Sequence, residues 1–244
     1  LSLSPPGLVN PVRYEQLAEV LEGIEATSKR LEMTDLLVKL LKGTPEGIID
    51  KVVYLTQGKL YPDYVGIELG MAEKLVEKAI SFASGRSEAE VESAYKRTGD
   101  LGLTAQEMLK KRTQFTLMKK QLTVEAVYET FDNIARATGD GSVDAKIKLL
   151  SSLLSDASPR EAKFVARMAL GKLRVGVADM TILDALAIAY AGEKEFREPF
   201  ERAYNLSSDL GYVAKIVASH GVNGVKDFKI SVGRPVRPML CERL

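Results

Sequence analysis

Residues 158–176 read SPREAKFVARMALGKLRVG, a stretch in which a helix starts, runs and stops. Ser158, Pro159 and Glu161 form a helix start. The serine hydroxyl can accept a hydrogen bond from a free first-turn amide, the glutamate can return to the serine amide, and proline suits the first helical position. Gly171 and Gly176 then bracket Lys172 and Arg174 before a second helical pattern begins. Such a turn carries positive charge yet lacks side chains at two points, so its backbone can press against a narrow polyanionic surface, as the minor groove of DNA is.

Outward from this stretch the helical period dominates. Tyr14, Leu17, Ala18 and Leu21, then Leu36, Leu37, Leu40 and Leu41, show spacings of three and four, and the pattern recurs almost to residue 220. Turn chemistry marks the breaks at 42–45, 84–87, 138–142, 191–192 and 219–224. The expectation is an all-α fold, a compact multi-helix array of roughly ten or more helices, ending in an extended linker. Only Phe228 to Val232 alternates as a short strand would. No fixed-period repeat points to a solenoid. Residues 1–12, rich in Ser, Pro and Gly, read as a disordered or vector-derived tail, residues 13–230 as the helical domain, and residues 231–244 as a linker whose prolines forbid helix.

Composition narrows the function. The 244 residues are 45% hydrophobic, enough for one large domain or two small ones. No run of about 18 apolar residues exists to span a membrane, and the amino terminus lacks the basic start and apolar core of a secretion signal. The cytoplasm is the default compartment. One cysteine, Cys241, excludes an intramolecular disulfide, and one histidine, His220, leaves too few soft ligands for zinc. With 34 Lys and Arg against 33 Asp and Glu, any contact with nucleic acid has to come from charge concentrated locally.

Several local clusters could supply that charge. Arg160, Lys163 and Arg167 fall within about 60° of one another on a helix and form a stripe that runs into Gly171, although a plain solvated face has the same pattern. The loop Gly139-Asp140-Gly141-Ser142 precedes a helix carrying Lys146 and Lys148, so a serine cap, free amides and a helix dipole meet where one phosphate could sit; an ordinary capped start is the competing account. The turn from Arg97 to Gly102, with Gly99 and Gly102, is of similar kind. Gln114-Phe115-Thr116-Leu117-Met118 lies among Lys110, Lys111, Arg112, Lys119 and Lys120, in the most basic part of the chain, and reads either as a surface loop or as a docking peptide. Residues 64–70 faintly suggest a helix-hairpin-helix phosphate binder, with a turn before a core helix as the alternative. His220 reads as a helix-end cap. No serine, cysteine or histidine stands in a nucleophile context, so neither a catalytic residue nor a metal site is expected.

The run from Glu161 to Gly176 resembles the signature of the amino-terminal DNA-binding domain of archaeal and eukaryotic ATP-dependent DNA ligases. Arg234-Pro235-Val236-Arg237-Pro238-Met239-Leu240 resembles the segment that leads into their adenylation domain. The resemblance implies an all-helical domain, residues 13–230, that grips duplex or nicked DNA through the minor groove without reading sequence, in a cytoplasmic, nucleoid-associated enzyme of replication, repair and recombination. Carried over by residue, Gly171 and Gly176 become close-approach glycines, Lys172 and Arg174 backbone contacts, and Ser142 with Lys146 a phosphate site. Gln114, Leu117 and Met118 fall where related archaeal ligases dock on the sliding clamp, although Leu-Met stands in place of the usual aromatics. The family takes AMP from ATP, with magnesium, on a lysine in Lys-x-Asp-Gly. The single Asp-Gly pair here, Asp140-Gly141, has Thr138 in the lysine position. This stretch is therefore expected to need no cofactor and to form no adenylate, with ATP and magnesium serving an adenylation domain of the same parent chain. The competing expectation is an all-helical protein-interaction scaffold.

Overall fold

The computed structural model describes residues 11–111 and 120–238. The expected clamp residues Gln114, Leu117 and Met118, most of the amino-terminal tail and the end of the linker lie outside them. The described chain is all-α. Twelve helices follow in order: α1 (Tyr14–Glu25), α2 (Arg30–Lys42), α3 (Ile49–Thr56), α4 (Glu73–Ser84), α5 (Glu88–Thr98), α6 (Leu101–Lys110), α7 (Val124–Arg136), α8 (Ser142–Asp156), α9 (Pro159–Ala169), α10 (Asp179–Ala191), α11 (Arg197–Ser207) and α12 (Leu210–Lys226). Residues 228–231 take no strand partner; one isolated antiparallel bridge, between Arg13 and Thr123, is the only β pairing among the described residues. No described helix is long and apolar enough to cross a membrane.

Local chemistry sets the helix ends. Ser158 and Glu161 form a complete capping box with Pro159 in the first turn of α9, and Ser87 with Glu90 does the same for α5. Gly85 and Gly99 end α4 and α5 in the left-handed conformation that glycine tolerates. At 219–224 the expected break is a kink instead. Gly221 leaves helical geometry, at φ 66° and ψ −169°, yet α12 resumes beyond it.

One continuous core joins α1 to α12, and α9 runs through it. Every residue from Glu161 to Ala169 is buried. The helix packs on α1, α6 and α8, so it has no solvated face. This corrects the expectation of a basic stripe open to a ligand: Arg160, Lys163 and Arg167 do share a side of the helix, but that side faces α1 and the start of α6.

Gly102 is corrected for a related reason. It is buried in α6, where a Cβ would stand 2.6 Å from the Lys163 carbonyl oxygen and 2.7 Å from Arg167 Cγ. It lets two helices touch and is not an exposed contact. Gly102→Ala should therefore lower the unfolding free energy by about 1–3 kcal/mol through overpacking. Gly47→Ala, where a Cβ would meet nothing within 4 Å, should stay within about 0.5 kcal/mol. Urea unfolding of both variants measures the difference.

Candidate nucleic-acid interface

The segment from Gly171 onward leaves the end of α9 and crosses open surface to Asp179, where α10 begins. Its side chains alternate. Leu173 and Val175 are buried, while Gly171, Lys172, Arg174 and Gly176 are exposed. The alternation anchors the loop by its apolar residues and turns its cations outward. Three residues lie in the left-handed region, Gly171 at φ 66°, Arg174 at φ 57° and Gly176 at φ 69°. For arginine that conformation costs of order 1–3 kcal/mol, a strain that persists only where the surroundings impose it and that gathers at functional sites.

The two glycines differ. A Cβ on Gly171 would stand 2.7 Å from the Leu69 carbonyl oxygen, so Gly171 allows the loop to rest on residues 66–70. That support is tied further by the Met71 amide, which donates to the Ala169 carbonyl at 2.8 Å. Gly58 makes the same allowance under Leu173, whose Cβ would be 2.9 Å away. A Cβ on Gly176 would meet nothing within 4 Å. Of the two glycines expected to approach a ligand closely, Gly176 alone presents bare backbone to solvent on both counts of conformation and space.

Beneath the loop lies an ionic network, buried at Asp100, Lys163 and Arg167 and partly exposed at Arg160, that links α1, α6 and α9. Asp100 caps α6, accepting from the Gly102 amide at 2.7 Å and the Leu103 amide at 3.1 Å. Its carboxylate also meets Arg167 at 3.0 Å and Arg174 at 3.3 Å. Arg167 continues to Glu25 at 3.0 Å, and Lys163 reaches the same carboxylate at 2.6 Å. Arg160 pairs with Glu15 and Glu22, each at 2.7 Å. Burial alone would raise the carboxyl groups of Asp100 and Glu25, but their bonds to Arg167, with Lys163 added at Glu25, hold both below the ordinary carboxylate range. Asp100 and Glu25 are the residues that pattern reading missed. The signal available for Asp100 was its place directly before Leu101-Gly102, where a short acid caps a helix.

Arg174 also approaches the Gly99 carbonyl at 3.5 Å, so the structure gathers Gly99, Lys172, Arg174 and Gly176 on one surface. Lys172 lies 3.5 Å from Glu73, the first residue of α4. The loop at 139–142 stands elsewhere. Lys78 and Phe82 of α4 share a hollow of about 260 Å³ with Asp144, Ile147, Lys148 and Ser151, which places the first half of α8 beside the second half of α4. The two loops thus lie toward opposite ends of α4, separated by roughly 15 Å of helix. Gly141, not Ser142, is the cap of α8; Ser142 is its first helical residue. Gly139 and Gly141 are left-handed and open, and Lys146 and Lys148 have no ion-pair partner among the described residues. Also among those residues, no group of three or more His, Cys, Asp or Glu is placed to hold a metal.

Comparison with known proteins identifies relatives. Residues 13–187 match the family described as DNA ligase N terminus. DNA ligase 2 of Thermofilum pendens is 51% identical over 245 residues, covering 98% of this chain and 41% of the relative. The DNA ligase of Staphylothermus marinus is 52% identical over 95% of the chain and 41% of its own length, and that of Cenarchaeum symbiosum is 49% identical over 96% and 40%. The chain spans about two fifths of the length of these relatives.

The network makes stability depend on pH with a definite sign. Because the Asp100 and Glu25 carboxyls lie below their ordinary values when folded, their contribution is complete above about pH 4–5 and is lost as pH falls through the depressed values. Asp100→Asn removes the charge from a buried pair and should cost ~3 kcal/mol at pH 7. The variant should also lose less than the parent protein on acidification, which denaturant unfolding at pH 7, 5 and 3 measures.

Proposed function

Since the chain belongs to the DNA ligase N terminus family, we propose that it binds duplex DNA without sequence preference, setting the 171–176 loop against the minor groove and its flanking phosphates. The observation that carries this reading is the strained loop itself: two outward cations, an open left-handed glycine and a left-handed arginine, all fastened from below by buried residues. Lys172 and Arg174 supply charge, and Gly176 supplies bare backbone for close approach. Glu73, paired with Lys172, occupies a place that a phosphate oxygen would take, whereas the buried Asp100 carboxylate holds Arg174 in position. Lys172 and Glu73 are each about half exposed, and exposed pairs are worth about 0–1 kcal/mol, so exchange of that carboxylate for a phosphate is inexpensive, while Arg174 offers its exposed side to a phosphate and keeps Asp100.

Gly99 belongs to this contact surface beside Arg174. Gly141, Ser142 and Lys146, with Lys148, form a second phosphate contact toward the other end of α4, where the amides at the start of α8 and the helix dipole favour an anion. Gly102, Lys163 and Arg167 act from below as packing and charge partners, as does Arg160 in large part. In the longer protein this region would bring nicked DNA to an adenylation domain that uses ATP and magnesium, and Gln114, Leu117 and Met118 would dock on a sliding clamp. The compartment that suits this work is the nucleoid-bearing cytoplasm.

Fluorescence anisotropy with two unrelated duplexes across a salt series tests the reading. Four phosphate contacts, at Lys172, Arg174, Lys146 and the start of α8, predict a log–log salt slope of about −3 to −4, equal for both sequences. Arg174→Ala should reduce that slope by about one. Gly176→Asn, whose side chain tolerates the left-handed backbone, should weaken binding more than it lowers stability, whereas Gly171→Val should chiefly destabilise, because its side chain meets the Leu69 carbonyl. A flat salt response, or strong preference for one duplex, overturns the proposal.

A further inference from the structure

The segment after α12 contains two prolines and reads as an open linker, yet residues 228–238 turn back over the surface of α11 and the start of α12. Two guanidinium groups hold it there. That of Arg234 lies 3.6 Å from the centre of the Tyr212 ring, and that of Arg237 lies 4.6 Å from the centre of the Tyr204 ring. Backbone bonds fix the register: the Arg237 amide donates to the Asn205 carbonyl at 2.7 Å, and the Ser208 hydroxyl donates to the Pro235 carbonyl at 2.9 Å. Arg202 adds a longer contact to the Phe228 carbonyl at 3.4 Å. Planar guanidinium groups stacked on aromatic rings are favourable and geometrically demanding, so this is a seated arm.

The seat extends beyond α11. The Arg237 guanidinium also stands 3.5 Å from the carboxylate of Asp179. The Tyr204 hydroxyl donates to the same carboxylate at 2.6 Å, and the Gln57 side-chain amide donates to its other oxygen at 3.0 Å. Asp179 is the first residue of α10, three positions beyond Gly176. The 171–176 loop is thus held at its near end by Arg167 and Asp100, and at its far end by a carboxylate that the arm touches.

We propose that Arg237 is a positioning residue for the 171–178 loop: by holding Asp179 it couples the seating of residues 231–238 on α11 to the conformation of the loop. Arg234 seats the arm without reaching Asp179. Coupling of this kind is reciprocal. DNA on the loop tightens the arm, and a pull on the chain beyond Pro238 loosens the loop. The consequence for DNA rests on the binding reading above; the coupling itself does not.

Amide hydrogen exchange and DNA anisotropy on the 244-residue chain, comparing the unaltered protein with Arg237→Ala and Arg234→Ala, test it. The diagnostic amides are that of residue 237, bonded to Asn205, and those of Thr181 and Ile182, both bonded to the Ala178 carbonyl. Arg237→Ala should speed exchange at all three by about tenfold, the signature of local opening, and weaken duplex binding several-fold. Arg234→Ala, which loosens the arm and leaves the Arg237 side chain present, should speed exchange at residue 237 and, through the same coupling, at Thr181 and Ile182, with a smaller rise there and a smaller loss of DNA affinity than Arg237→Ala produces. If residue 237 exchanges in the unaltered chain as fast as an unstructured peptide, or if Arg237→Ala frees it while Thr181 and Ile182 keep their rates, the proposal is wrong. If no form binds DNA, the binding reading fails, and the rates at Thr181 and Ile182 still decide the coupling.

Discussion

The Asp100 carboxylate is the point on which the described structure depends. It lies at the junction of three elements, and each uses it differently: α6 takes its cap from it, α9 pairs Arg167 with it, and the loop beyond α9 rests Arg174 on it. A buried carboxylate shared in this way has almost no freedom to move, because losing either the amides or the arginine leaves charge without a partner. Glu25 extends the same logic to α1 through Lys163 and Arg167. Three stretches distant in sequence, α1, α6 and α9 with its following loop, are thereby set in register by polar contacts, within a core whose apolar packing alone would tolerate slippage.

Much of this fold was legible because its helix ends are written in local chemistry. The capping boxes at Ser158 and Ser87, the proline at 159 and the glycines after α4 and α5 each act within a few residues, where sequence and structure are nearly the same thing. What escaped is what lies across helices. The spacing of Arg160, Lys163 and Arg167 says that they share a face, but nothing in that spacing says whether the face meets water or the acids of α1. The same holds for Gly102: a glycine two residues after an aspartate looks like an open turn until Lys163 and Arg167 come within van der Waals reach. At α8 the expected serine cap is absent: left-handed Gly141 is the cap and Ser142 lies inside the helix.

The sorting of glycines by surroundings bears on function. Gly171 and Gly58 let the loop settle onto its support, Gly102 lets α6 settle onto α9, and Gly176, Gly139 and Gly141 leave backbone open. A surface built to touch a polyanion needs both kinds. The first kind fixes where the backbone stands, and the second leaves room for another molecule to approach it. Net charge of +1 is then no obstacle, because the Lys172–Glu73 pair is exposed and can exchange partners and the Arg174 side chain is itself more than half exposed, whereas the cations of Lys163 and Arg167 are buried with their acids. Acids near the loop cost little affinity when they also hold its cations in place before the ligand arrives.

The loop is short, strained at Arg174 and rooted at both ends in carboxylates. Asp100 takes the near side and Asp179 the far side. An eight-residue segment with that many left-handed residues has few other conformations of comparable energy, so its geometry answers to whatever moves its two roots. Asp100 sits inside the core and moves with the fold as a whole. Asp179 is partly exposed and shares its charge with Arg237, Tyr204 and Gln57, so it is the root at which the rest of a longer chain can act. That asymmetry makes the prolines after Val232 intelligible: they keep residues 235–238 extended, which lets Arg237 reach across α11 to the carboxylate while the backbone stays on the surface.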